Sequence, residues 1–151
     1  YNLILGPVGV GRSTLPDLAA LFENSRPDGV VLIPPLTDDA VVLAYLEEHD
    51  IPFSSIAPRH PDGRIGVRMD ETTAVVELMG HLVAQGHRRS GHIKGPRAHG
   101  ACQWRLAGYR QALREHGIAY DPGLVVNGQF SFESGIEAAN TLTTTIVNIR
   151  S

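Results

Sequence analysis

The sequence predicts an α/β fold built on parallel β-strands. Segments typical of strands alternate with segments typical of helices along nearly all of the 151 residues. Such alternation favours a parallel sheet with helices on both of its faces. Residues 29–33 (GVVLI) form a continuous apolar run, which is the composition expected of a strand buried on both faces.

The predicted strands are short apolar segments that mostly end at glycine, proline or a polar loop. Pro34-Pro35 end the GVVLI strand, and Gly95-Pro96 end a later one, because proline cannot continue a central strand. In chain order the predicted strands comprise residues 1–6, 29–33, 51–57, 65–69, 90–94 and 124–127.

The first two predicted helices are identified by their start signals. Residues 15–25 form a helix that tolerates Pro16 in its first turn. Thr37 is a good N-cap for a second helix that runs to about residue 49, and Asp38 and Asp39 suit the positive end of its dipole.

The later helices are identified by spacing and by glycine stops. Residues 71–85 place apolar side chains on one face, and Gly86 is suited to end that helix. A helix from about residue 101 to 116 ends at Gly117, and Ser131 and Ser134 offer caps for a helix through about residue 140. The final stretch, TLTTTIVNIRS, switches to β-branched residues and receives no assignment.

Composition excludes several classes of protein. The chain is 42% hydrophobic and 19% charged, as expected of a soluble globular protein. A net charge of −3 gives no field that would draw the chain to nucleic acid or an anionic membrane, and no apolar run approaches the ~20 residues of a membrane span. The lone Cys102 excludes an internal disulfide and favours a reducing compartment. The chain begins inside a strand-like run without an initiator Met, so we expect a fragment.

One arginine is placed where a ligand is expected. Ligands of open α/β sheets bind outside the carboxyl ends of the strands. Arg105 follows the strand at residues 90–94 and lies near the start of the next helix. Its five N–H donors suit a polyhydroxylated or carboxylated ligand.

Four motifs between residues 26 and 140 carry a family resemblance. They are RPDGVVLIPP, HLVAQGHRRSGHIKGP, RLAGYRQALREHGI and VNGQFSFESGIEAA. In order and spacing they resemble the effector-binding core of the lactose/galactose-repressor (LacI/GalR) family of bacterial transcriptional regulators. The resemblance implies two Rossmann-like lobes with parallel sheets, of the periplasmic-binding-protein-like type I, incomplete at both ends and with the ligand between the lobes. It assigns residues 1–69 to the N-terminal lobe and 70–142 to the C-terminal lobe, with 143–151 as an unassigned tail.

The resemblance also implies a set of ligand-binding residues. These are Ala57, Asp70, His99, Ala101, Arg105 and Phe130. Arg105 matches the arginine that bonds the effector, and Phe130 matches the aromatic residue that covers it, so the two are expected to share one hollow. The chain departs from the family twice: Glu71 follows Asp70 where the family has Asn, and Ala57 stands where relatives often carry an aspartate.

The function implied is that of a ligand-sensing domain. It would bind a sugar or sugar derivative and modulate operator binding by a helix-turn-helix that this chain lacks. The parent protein is expected to be a cytoplasmic homodimer without membrane contact, and no cofactor is expected. The alternative is a periplasmic-type sugar-binding protein of a transporter. The residues encoded upstream would decide between the two, because a helix-turn-helix would support the regulator and a signal peptide would support the binding protein.

A third hypothesis is a nucleotide-binding enzyme. Residues 6–13 (GPVGVGRS) match the phosphate-binding pattern G-x-x-x-x-G-K-S/T except for Arg12 in place of lysine. Arginine is not equivalent there, and no carboxylate that would hold magnesium ends the GVVLI strand. The sequence therefore favours an ordinary turn.

Metal binding and catalysis also lack support in the sequence. His87, His92, His99 and Cys102 are close along the chain but have none of the usual zinc-site spacings. No nucleophile elbow, spaced carboxylate pair or Ser-His-Asp order is present. We therefore expect no metal site, no catalytic residues and no enzymatic activity.

Overall fold

The computed structural model describes residues 3–5, 14–59, 65–97 and 99–148. The chain divides into two compact units, Tyr1–Val67 and Arg68–Ser151, which we call the first unit and the second unit. Over the described ranges, no helix is both long enough and apolar enough to cross a membrane.

The first unit is a parallel three-stranded sheet with two helices. In chain order its elements are α1 (Thr14–Ser25), β1 (Val30–Leu32), a 3₁₀ turn (Leu36–Asp38), α2 (Ala40–Glu48), β2 (Phe53–Ile56) and β3 (Gly66–Val67). The strand order is β1-β2-β3, and both pairings are parallel. This arrangement confirms the α/β class and the parallel sheet that the sequence predicts.

The helices of the first unit cover one face of its sheet. The core consists of Leu18, Phe22, Leu32, Leu36, Val42 and Leu46. Leu32 points into this core, whereas its neighbours Val31 and Ile33 point to the other face, where Val31 is 63% exposed. The expectation that residues 29–33 are buried on both faces is therefore wrong for the described structure. Helices α1 and α2 both pack against the face of β1 that carries Leu32, and the opposite face is exposed.

The second unit pairs two parallel strands with three helices. Its elements are α3 (Glu71–Ala84), β4 (His92–Lys94), α4 (Gly100–Glu115), a 3₁₀ turn (Pro122–Leu124), β5 (Val125–Asn127) and α5 (Phe132–Asn148). β4 pairs with β5 in parallel, with Lys94 opposite Asn127. Helices α3 and α4 pack closely around a core of Met79, Tyr109, Ala112 and Leu113.

Glycine stops were predicted correctly, whereas one helix cap was not. Gly86 and Gly117 follow the ends of α3 and α4 and have positive φ angles of 90° and 64°. Thr37 does not cap α2; its hydroxyl donates to the carbonyl of Ile56 at 3.1 Å. The N-cap is Asp39, whose carboxylate accepts from the first backbone amides of the helix, as expected of a residue placed next to the helix start.

The two ends of the described chain differ from prediction. Leu3–Leu5 belong to no strand and are exposed, and the rest of the strand predicted at 1–6 lies outside the described residues. At the other end, α5 continues past residue 140 to Asn148. The threonine hydroxyls donate to carbonyls four residues earlier, for example Thr141 to Glu137 at 2.9 Å, so this β-branched stretch satisfies its polar groups within a helix. The tail beyond Asn148 lies outside the described residues.

Candidate functional site

The candidate site lies at the carboxyl ends of β4 and β5, which we call the second-unit edge. Because the strands are parallel, Lys94 and Asn127 end at the same side of the sheet. Helix α4 begins nearby at Gly100, so its N-terminal turns approach the same edge. This is where ligands bind in open α/β sheets.

Arg105 lies in the second turn of α4 and forms a two-point ion pair. Its Nε donates to Oε2 of Glu71 at 2.6 Å, and its Nη2 donates to Oε1 at 3.0 Å. The Glu71 side chain is only 12% exposed, whereas that of Arg105 is 43% exposed. The hydrogen bonds that Arg105 donates to Glu71, together with the negative charge of that carboxylate, raise the pKa of Arg105. Of the five N–H donors of a guanidinium, two are used by Glu71, which leaves three.

The start of α3 holds Glu71 in place. Asp70 is the N-cap: its Oδ1 accepts from the amide of Thr73 at 3.0 Å and its Oδ2 from the Thr73 hydroxyl at 2.8 Å. These hydrogen bonds lower the pKa of Asp70. The Thr72 hydroxyl donates to the carbonyl of Trp104 at 3.3 Å and so ties α3 to α4. The position of Glu71 follows from this cap and from the packing of the two helices.

Phe130 forms an aromatic wall with His99. The two rings are in edge-to-face contact, with centroids 5.0 Å apart, a favourable aromatic geometry. The Phe130 ring also lies over Gly95, since a Cβ at residue 95 would come within 2.6 Å of Cε1 of Phe130 and 2.7 Å of Sγ of Cys102. Phe130 is nevertheless 59% exposed, so much of its ring remains available for contact.

The turn that carries Phe130 is fixed by local hydrogen bonds. The Gly128 amide donates to the carbonyl of Lys94 at 2.6 Å, and the Gln129 amide donates to Oγ of Ser134 at 2.9 Å. Phe130 itself has a positive φ of 57°, a left-handed conformation that is uncommon for a bulky residue. A strained residue of this kind is often found where a binding site requires it.

A cavity of about 400 Å³ borders the same edge but does not include Arg105 or Phe130. Its lining includes Lys94, Gln103, Arg110 and Asn127. A helix turns by ~100° per residue, so residues 103 and 110 lie on a different face of α4 from residue 105. The cavity therefore adjoins the site without joining the ion pair to the aromatic wall.

Two titratable groups, Cys102 and His92, lie at or near the site and have pKa values shifted by burial. Burial raises the pKa of the Cys102 thiol and so keeps it from acting as a thiolate. His92 stacks on Tyr109 at 5.1 Å; its Nε2 is buried without a hydrogen-bond partner, and burial lowers its pKa. In the parts of the chain that are described, no three His, Cys, Asp or Glu side chains are grouped to hold a metal ion.

The second unit brings most of the predicted residues to one edge. Asp70 lies next to Glu71, the partner of Arg105. His99 contacts Phe130, and Ala101 lies half-buried in the first turn of α4. Arg105 and Phe130 are not joined by a hydrogen bond or cation–π contact across the described residues; Arg105 turns to α3, and Phe130 turns to His99. Cys102 lies near both, because it underlies the ring and its pKa responds to the charge of Arg105.

The remaining predicted features lie elsewhere. Ala57 belongs to the first unit, follows β2 with a positive φ of 53°, and donates from its amide to the carbonyl of Val67 at 2.7 Å. Its contact with a ligand stays a prediction, as do the ligand roles of the other five residues. The phosphate-binding pattern at residues 6–13 lies outside the described residues.

Sequence reasoning missed the role of Glu71. It was noted only as a departure from the asparagine of the family, although it supplies both acceptors to Arg105. The two residues are 34 positions apart, and no spacing rule connects them. Only the packing of α3 against α4 reveals the pair.

Comparisons with known proteins agree with the fold and the motifs. Residues 1–145 match the family described as periplasmic binding proteins and sugar binding domain of LacI family. The HTH-type transcriptional repressor CytR of Escherichia coli K12 is 43% identical over 76 residues, which cover 50% of this chain and 22% of CytR. The HTH-type transcriptional regulator CelR of Thermobifida fusca is 31% identical over 140 residues, which cover 89% of this chain and 41% of CelR.

A solved structure extends the likeness to three dimensions. The complex of the transcriptional regulator CelR with cellobiose superposes with a TM-score of 0.72 at 30% identity, covering 85% of this chain and 40% of that one. In each of these comparisons the matched part is less than half of the relative.

Proposed function

The chain belongs to the family of periplasmic binding proteins and LacI-type sugar-binding domains, and from this premise we propose that it is the ligand-sensing domain of a transcriptional regulator. We further propose that the ligand is a sugar or a sugar derivative. The observation that carries this proposal is the second unit's pairing of a partly exposed Arg105, which keeps three unused N–H donors, with the exposed ring of Phe130. The cellobiose bound to the CelR relative is consistent with this ligand class.

The chemistry of the edge suits a neutral, polyhydroxylated ligand. The flat ring of Phe130 offers apolar contact to the C–H face of a sugar, and His99 supports that ring from its edge. The three remaining N–H groups of Arg105 can donate to hydroxyl oxygens. Small-molecule sites commonly combine apolar contact area with a few directional polar groups in this way.

In the whole protein, we propose that ligand binding alters operator binding. A ligand shifts a conformational equilibrium only by its differential affinity for the two forms. The DNA contacts would come from a helix-turn-helix outside these 151 residues, in a cytoplasmic homodimer that reaches both halves of a palindromic operator. The net charge of −3 is consistent with DNA contacts made by another segment, because DNA binding depends on positively charged groups that contact phosphates.

A transported-solute receptor is the second candidate, because the family description also includes periplasmic binding proteins. The relatives CytR and CelR are both transcriptional regulators, which favours the sensor. No catalytic residue and no cofactor is part of either proposal.

The first test is a sugar panel that includes cellobiose, measured by thermal shift and calorimetry on the full-length protein. Arg105→Lys keeps a cation beside Glu71 but loses the forked donor geometry, so we expect it to weaken sugar binding by about tenfold or more. Arg59→Lys is the matched control, because Arg59 pairs with Asp38 in the first unit. Equal affinity of the two variants would contradict the role of Arg105.

The second test concerns the aromatic wall. Phe130→Ala removes the exposed ring and is expected to weaken sugar binding by about fivefold or more, since a stacked aromatic contact contributes about 1 kcal/mol or more. Phe132→Ala is the matched control, because Phe132 is also exposed and lies only two residues away. A panel in which no sugar raises the melting temperature of the wild-type protein would refute the proposed ligand class.

A further inference from the structure

We propose that Glu71 makes the second-unit edge selective for neutral ligands over anionic ones. The inference rests on the proposed function, in which Arg105 donates to the effector. An unpaired arginine at such an edge would attract carboxylates and phosphates as strongly as hydroxyls. Here the arginine carries its own carboxylate partner, so it presents donors without a net positive charge.

The geometry keeps Glu71 beside Arg105. Both carboxylate oxygens accept from the guanidinium, at 2.6 and 3.0 Å. The Glu71 side chain is almost fully buried while the arginine is partly exposed, so the ion pair has its negative group inside and its remaining donors outside. Helix α3 is held against α4 by the bond from Thr72 to the carbonyl of Trp104 and by their shared core, and Asp70 fixes the start of α3 where Glu71 lies.

The electrostatic consequence differs between ligand classes. An anionic ligand that approaches Arg105 meets the attraction of the guanidinium and the repulsion of a carboxylate a few ångströms further in. The repulsion offsets about half of the attraction when the carboxylate is about twice as far from the anion as the guanidinium, and the cost of removing water from the anion remains. A hydroxyl group carries no net charge and loses little water, so its hydrogen bond to the outward N–H groups is retained.

Glu71 is not required merely to join α3 to α4, because other contacts already hold the two helices together. Helices α3 and α4 are already joined by the core around Met79 and Tyr109. They also approach closely at Gly108, where an added Cβ would come within 3.0 Å of Cβ of Val75. A neutral side chain at residue 71 could still join the two helices, but only a carboxylate offsets the charge of Arg105.

The test compares neutral and anionic probes of matched shape on the full-length protein. The pairs are glucose with glucuronate and cellobiose with cellobiouronate, in which both rings are retained, and inorganic phosphate is added as a probe that requires no sugar site. Glu71→Gln is expected to raise the affinity for the anionic probes by about tenfold or more relative to wild type, and to change that for the neutral probes much less. Glu77→Gln removes the same charge from an exposed position of α3 and is the matched control. Calorimetry supplies the affinities.

The outcomes separate this inference from the proposed function. Glu71→Asn, which restores the residue typical of the family, should shift the preference toward anions as Glu71→Gln does, and it serves if the glutamine variant folds poorly. If both variants melt at a lower temperature but keep the anionic-to-neutral affinity ratio of Glu77→Gln, the inference is overturned and Glu71 only joins two helices. If no sugar binds the wild-type protein but phosphate binds Glu71→Gln and not Glu77→Gln, the proposed ligand class fails and the inference stands.

Discussion

The carboxyl edges of the two sheets use their polar residues in opposite ways. In the first unit the edge groups bond to one another: the Thr37 hydroxyl donates to the carbonyl of Ile56 at 3.1 Å. Asp38 accepts from the amide of Arg59 at 2.8 Å, and the Arg59 side chain lies 3.7 Å from its carboxylate. These contacts close the loops that follow β1 and β2.

In the second unit the edge side chains are fixed by internal contacts but remain partly exposed to solvent. Arg105 is fixed by Glu71 and still has outward donors, while Phe130 is fixed over Gly95 and still exposes its ring. Both units have the same parallel α/β arrangement. The parallel topology therefore supplies the edge in both units, whereas the internal partners decide whether the polar groups of that edge close its own loops or leave side chains exposed.

The largest expected effect tests how much the core of the first unit contributes to stability. Leu46→Ala removes a side chain with no exposed surface from the core of that unit, so we expect a loss of about 2–5 kcal/mol in the free energy of unfolding. Leu78→Ala is the control, because Leu78 is 58% exposed. Urea unfolding followed by circular dichroism measures the difference.

Trp104 fluorescence adds a second probe, since the only tryptophan of the chain lies in the second unit. Coincident transitions by fluorescence and circular dichroism would mean that the two units unfold together. A loss below about 1 kcal/mol in Leu46→Ala would show that the core of the first unit relaxes around the cavity, contrary to our expectation.

A smaller effect is expected where α3 and α4 approach each other in the second unit. Gly108→Ala would bring a Cβ within 3.0 Å of Cβ of Val75 and 3.2 Å of the carbonyl carbon of Thr72. The helices must then separate, at a cost of about 1–3 kcal/mol. Because α3 carries Glu71 and α4 carries Arg105, sugar binding should weaken together with stability.

Gly135→Ala provides the matched control for that substitution. Gly135 lies in α5, and an added Cβ meets nothing within 4 Å, so alanine should stabilise the protein by up to about 1 kcal/mol through helix propensity. Thermal unfolding of the two variants, with calorimetry of sugar binding, makes the comparison. Stabilisation by Gly108→Ala would show that the two helices do not depend on their close approach.

The smallest expected effect is a pH dependence located in the second unit. Burial lowers the pKa of His92 below its ordinary value of 6.5, so the unfolded chain takes up a proton at a higher pH than the folded chain does. Stability should therefore decline as the pH falls below about 6.5 and level off below the folded pKa. In the first unit, the one histidine that is described, His49, is exposed.

Urea midpoints between pH 7.5 and 5 measure this dependence. His92→Gln should flatten the decline, and His81→Gln is the control for removal of an exposed imidazole. An unchanged slope in His92→Gln would assign the acid sensitivity to other groups.

Much of the fold followed from local rules in the sequence. Apolar spacing located α3, and Gly86 and Gly117 marked the ends of α3 and α4, because a left-handed residue after a helix is a local requirement. Competition between neighbouring caps was harder to judge: Thr37 and Asp39 are both good caps, and the contact of Thr37 with β2 decided between them. The extension of α5 was missed because β-branched residues were interpreted without their hydroxyl bonds to the preceding turn.

The resemblance named the members of the candidate site, and their ligand roles stay predictions. Arg105, His99 and Phe130 all lie in the second unit, but neither Arg105 nor Phe130 lines the cavity beside them, so the expected shared hollow is not seen in the described residues. Their partners depend on how separate elements pack, since Glu71 reaches Arg105 from another helix. Pairings of this kind have no signature in spacing or composition.

The contact between Gly95 and Phe130 has a consequence for how this domain can diverge. A side chain at residue 95 would occupy the space that the phenyl ring and the Cys102 sulfur now fill. A lineage that gains any side chain at residue 95 must therefore reduce or redirect residue 130. The two positions should covary among homologues, with glycine at one accompanying a large aromatic at the other.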